Sequence, residues 1–93
     1  MMDEPLSPTA AKQLIREILE LGNVWYDTRP QSHLMVELAN DHMDIQDCFN
    51  VLPGGTVEPA EWENGAWRYG VRTSRMYVVI EFEAENVLFL VTA

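Results

Sequence analysis

Hydrophobic and polar positions alternate in two different periods along this chain, and the switch between them divides it in two. From Pro8 to Leu21, apolar residues recur at helical spacing at Ala11, Leu14, Ile15, Ile18 and Leu19. Ser7 stands where an N-cap belongs, Pro8 where a missing N–H costs nothing, and Gly22 where a left-handed C-cap falls. The pattern predicts an amphipathic helix over 8–21, with Lys12, Arg16, Glu17 and Glu20 on its solvated face. Residues 1–6 read as a loose leader, and 23–31 as an extended linker or short edge strand around Val24, Trp25 and Tyr26. Ser32 can cap a second helix over 33–41, with Leu34, Leu38 and either Met35 or Ala39 inward. Asp44, with Asp47 at the capping-box distance, starts a third over 45–52, whose apolar side is Ile45, Cys48, Phe49 and Leu52. Pro53-Gly54-Gly55 ends it.

Beyond that point the period becomes two. Thr56 to Trp62 is a poor strand interrupted by Pro59, which suits an edge. Asn64-Gly65 is the best turn dipeptide in the chain. Three runs rich in β-branched and aromatic residues follow, Gly65–Arg72, Arg75–Glu83 and Val87–Ala93, joined by two or three small or polar residues, as in an antiparallel meander. Reading Thr73-Ser74 as a two-residue turn places Arg72 opposite Arg75, Gly70 opposite Tyr77 and Arg68 opposite Val79. Trp67, Tyr69, Val71, Met76, Val78, Ile80 and Phe82 then form an apolar face, and Arg68, Arg72, Arg75 and Tyr77 gather on the other around a glycine. The expected fold is α+β, a single domain over 1–93 with two to three N-terminal helices on one face of a C-terminal antiparallel sheet of about four strands.

Charge sharpens the interest in that second face. The chain has six Lys and Arg against fifteen Asp and Glu, a formal net charge of −9, and three of the six cations are Arg68, Arg72 and Arg75. Such a balance repels polyanions at long range and favours basic partners, without forbidding a local cationic pocket. With 47% apolar and 23% charged residues the chain has the composition of a folded soluble domain. It lacks a signal peptide and any run of about 20 apolar residues, which makes the cytoplasm the expected compartment.

The candidate chemistry is narrow. A lone Cys48 in an apolar helical stretch reads as a buried thiol. Asp41, His42, Asp44 and Asp47 lack the ligand spacing of a zinc or calcium site, so no metal is expected, and the two later aspartates suit a helix start. Glu58, Glu61 and Glu63 read as guards of an edge strand. No phosphate-binding glycine loop or nucleophile elbow is present, and no cofactor is called for. The arginine face has two readings. Guanidinium groups with a tyrosine hydroxyl can hold a phosphate and stabilise developing charge, or the arginines can form salt bridges with Glu81 and neighbouring loops.

The whole order, from the glycine-ended first helix through Ser32-His33, Asp44-x-x-Asp47-Cys48 and Pro-Gly-Gly to Gly65-Ala66-Trp67-Arg68-Tyr69-Gly70-Val71 and the closing Leu-Val-Thr-Ala, resembles the DUF4258 family. That family is similar to the motility quorum-sensing regulator toxin and to the RelE-like bacterial mRNA interferases. The resemblance implies a RelE-like fold and an endoribonuclease whose catalytic residues are Arg68, Tyr77 and His33, with Arg72 and Arg75 binding RNA. It implies a cognate antitoxin or other protein partner and ribosome-bound mRNA as substrate. Where relatives carry arginines on the second helix this chain has Glu37 and Asp41, and its charge is −9, so weak binding of free RNA is expected. The alternative on the same fold is a non-catalytic acidic module that binds a basic protein.

Overall fold

The computed structural model describes residues 3–92; positions 1 and 2 of the leader and the final residue of the closing run lie outside that range. Three helices are present, α1 (Pro8–Leu21), α2 (His33–Asn40) and α3 (Ile45–Val51), each started by the residue expected to cap it. The Ser7 side chain accepts from the Ala10 N–H, and Gly22 closes α1 at φ 74°, returning its own N–H to the carbonyls of Ile18 and Leu19. Ser32 accepts from the Met35 N–H, while its hydroxyl donates to the Asp27 carbonyl and ties the preceding loop to the helix. Asp44 and Asp47 form a reciprocal capping box.

The strands are β1 (Val24–Tyr26), β2 (Thr56–Val57), β3 (Glu61–Glu63), β4 (Ala66–Arg72), β5 (Tyr77–Ala84) and β6 (Val87–Thr92). They build one six-stranded sheet in the order β1-β6-β5-β4-β2, with β3 also paired to β4. The expectation of about four strands is therefore too low, for two reasons. The segment after α1 joins the sheet as an edge strand, parallel to β6, so the sheet is mixed although mostly antiparallel. Around Pro59, which cannot donate to a ladder, the expected single strand splits into β2 and β3, both antiparallel to β4. Asn64 and Gly65, at φ 51° and 82°, make the tight turn into β4.

The β4–β5 register also differs from expectation. Arg72 faces Tyr77, Gly70 faces Val79 and Arg68 faces Glu81. Thr73 to Met76 form a longer connection, closed by the Thr73 N–H on the Met76 carbonyl and by the Thr73 hydroxyl accepting from the amides of Arg75 and Met76. The slip is two residues, so every strand side chain keeps its face. Arg75 and Met76, however, leave the strand.

One side of the sheet is the core. Tyr69, Val71, Val78, Ile80, Phe82, Leu88 and Leu90 meet Ala11, Ile15 and Ile18 of α1, Leu34 and Leu38 of α2, and Cys48, Val51 and Leu52 around α3. Removing each large apolar side chain from water contributes about 1.5–3 kcal/mol. Ahead of α1, the Leu6 N–H donates to the Tyr69 hydroxyl (2.9 Å), which donates in turn to Glu4 (2.9 Å). This gives a fully buried tyrosine its polar partners and straps residues 4–6 across the end of the core. Among the described residues no helix is long and apolar enough to cross a membrane.

Candidate functional site

The helices cover one face of the sheet, and the other carries the arginines. Arg68 and Arg72 on β4 project from it beside Tyr77 on β5, so three of the residues singled out from the sequence do come together. Their surroundings decide their chemistry. The Arg68 Nε lies 2.8 Å from Glu81 Oε1, its cross-strand partner, and its Nη1 lies 3.2 Å from Glu63 Oε1 on β3. Both members of the Arg68–Glu81 pair are largely buried, with side chains 19% and 18% exposed. Arg72 Nε is 3.3 Å from Glu58 Oε2, and its guanidinium stacks 4.6 Å from the centre of the Tyr77 ring.

Tyr77 lies over Gly70, where the missing side chain makes room for it. Burial pushes its hydroxyl pKa up, the charge of Glu58 and a hydrogen bond to it raise it further, Glu61 adds to this, and Arg72 opposes. A phenol held protonated against a carboxylate is a poor proton acceptor at neutral pH. Between these residues lies a cavity of only about 60 Å³, lined by Glu58, Glu61, Glu63, Arg68, Gly70 and Tyr77. Ordinary ligand pockets run to about 300–1,000 Å³. Two arginines therefore share their ground with four glutamates, Glu58, Glu61, Glu63 and Glu81, and the local balance is negative.

The remaining two residues lie elsewhere. Arg75, displaced by the longer β4–β5 connection, lines a separate cavity of about 200 Å³ with Met43, Asp47, Asn50 and Met76. His33 opens α2, which packs against β6 from the helix layer. Its imidazole is exposed and pairs with Glu37 one turn on, Nε2 to Oε1 3.0 Å. Glu37 also accepts from the Thr92 hydroxyl at the end of β6.

The salt bridge to Glu81 was one of the two readings open to the arginines from the sequence, whereas Glu58, Glu61 and Glu63 were legible there only as guards of an edge. What brings Glu58, Glu61 and Glu63 to the arginines is the folding of β2 and β3 back onto β4, a pairing that Pro59 divides but does not prevent. The apolar end of the same face is made by pairing between distant segments. Across the sheet, Trp25, Phe89, Glu81, Arg68 and Glu61 are successive cross-strand partners on β1, β6, β5, β4 and β3. Trp25 is 62% exposed at the end of that row. Comparison with protein-family models, with curated proteins and with solved structures finds no match to this chain.

Proposed function

We propose that this chain is a non-catalytic, acidic protein-binding module on a RelE-like α+β layout, which uses its open sheet face to engage a basic partner. One observation carries the reading. The sheet-face arginines are already held by carboxylates, Arg68 by Glu81 and Glu63 and Arg72 by Glu58. A phosphate approaching Arg68 or Arg72 meets glutamates in excess of arginines, within a chain of net charge −9. The same charges attract a cationic protein surface and steer its encounter. The exposed Trp25 and the half-buried Phe89 supply apolar contact on the same face.

The rival is the mRNA interferase implied by the DUF4258 resemblance, and what favours it is Tyr77 standing beside Arg72 and Arg68. Induced expression in a bacterial host separates the two. The binding module leaves growth and mRNA levels unchanged, and the purified protein binds RNA weakly at low and at moderate salt, without the steep salt-dependent loss of a basic binder. Growth arrest with mRNA loss, both abolished by Tyr77→Phe, would establish the interferase instead.

A further inference from the structure

The two edges of the sheet are finished differently. On one side β3 presents Glu61-Trp62-Glu63, and its carboxylates discourage another strand from pairing there. On the other side β1 presents Val24-Trp25-Tyr26, with no charge of its own. The backbone of β1 is oriented by its neighbour. The Asn23 carbonyl accepts from the Leu88 N–H, so Asn23 points its polar groups at β6. Backbone groups alternate sides along a strand, so Trp25 also points inward, and Val24 and Tyr26 turn both N–H and C=O away from the sheet. Among the described residues no backbone hydrogen bond reaches those outward groups.

Resting on the protein-binding reading above, we propose that β1 is the docking edge: an extended cationic segment of a partner protein adds there as a further strand. Its backbone pairs with Val24 and Tyr26, and its alternate side chains lie against Trp25, 62% exposed, and the neighbouring Phe89. The charge of the occupant follows from the −9 of this chain. A second copy would bring the same charge to the same edge and be repelled, which is how a bare apolar edge stays unpaired in the free protein. A lysine or arginine on the incoming strand also gains a favourable seat over the Trp25 indole.

The test uses the whole chain and a decapeptide of alternating lysine and valine as the probe, with amide hydrogen exchange followed by NMR. The peptide is expected to slow exchange at Val24 and Tyr26 by at least about tenfold and to leave Trp25, already bonded inward, unchanged. A glutamate–valine peptide should have no effect. N-methylating the alternate peptide amides that face β1 should abolish protection, and N-methylating the other set should not. Val24→Pro, which removes an outward N–H and no ladder bond, should weaken binding. The proposal is overturned if the peptide leaves exchange at Val24 and Tyr26 unchanged, if both N-methylated sets bind equally, or if protection appears without peptide and grows with protein concentration, which would make a second copy the occupant. Peptide-induced shifts at Phe89 and Glu81 without protection of β1 would overturn the edge while leaving the protein-binding reading intact. Growth arrest that depends on Tyr77 would overturn that reading itself.

Discussion

Tyr77 and Gly70 occupy one another's space: a Cβ added at position 70 would stand 2.1 Å from the Tyr77 hydroxyl oxygen and 2.6 Å from its ring carbons. They are diagonal neighbours on adjacent strands, since Gly70 pairs with Val79 and Tyr77 with Arg72. The glycine thus lets the ring lie flat on the sheet, where it meets Arg72 and Glu58. Gly70→Ala should swing the ring away and cost about 1–3 kcal/mol, the range for overpacking. In a Tyr77→Ala background the same change should cost little, less than about 0.5 kcal/mol, because nothing remains to displace. Urea denaturation of the four proteins checks the coupling.

The ion pair of Arg68 with Glu81 is expected to matter for stability through what its loss leaves behind. Arg68→Ala strands a largely buried carboxylate and should destabilise by about 3 kcal/mol, the lower end for broken buried pairs. Arg68→Met combined with Glu81→Leu removes both charges and should recover most of that loss. If the single and double variants melt alike, the pair's burial is not what stabilises this part of the sheet.

Tyr69 supplies a pH dependence. Burial, with Glu4 beside it, pushes its pKa up from 10 to about 12, against the hydrogen bond from Leu6. The folded protein therefore retains a proton that the unfolded chain releases above about pH 10. Its contribution is complete below that pH and is lost as pH rises toward 12, by up to about 2–3 kcal/mol. Denaturation across pH 9–12 should show stability falling. In Tyr69→Phe this part of the slope should vanish, although the variant also loses the strap to Glu4 and Leu6.

Cys48 is fully buried on α3, and burial, with Asp47 and Asp44 nearby, lifts its thiol pKa to about 11. The native protein should resist a thiol-specific reagent at pH 8, and labelling should accelerate in parallel with unfolding as urea is added. Rapid labelling without urea would show that α3 opens locally.

Local chemistry made the helices legible. Ser7, Pro8 and Gly22 bound α1, Ser32 starts α2, and Asp44 with Asp47 starts α3, because each cap is completed within four residues of its own position. The faces of the β4 and β5 residues were legible too, since alternation depends only on the pleat, and the two-residue slip between β4 and β5 preserved them. Pairing over long distances was not. That Val24–Tyr26 is a strand at all depends on β6, more than sixty residues later. The meaning of the arginines turned on the same kind of fact. Spacing alone put Arg68 opposite Val79 and left two readings open, an anion or a salt bridge to Glu81 and the loops, whereas the ladder sets it opposite Glu81 and folds Glu63 over it. Register is decided by the whole sheet packing against Ile15, Ile18, Leu34 and Leu52 at once, and that sum is not written in any short stretch of the chain.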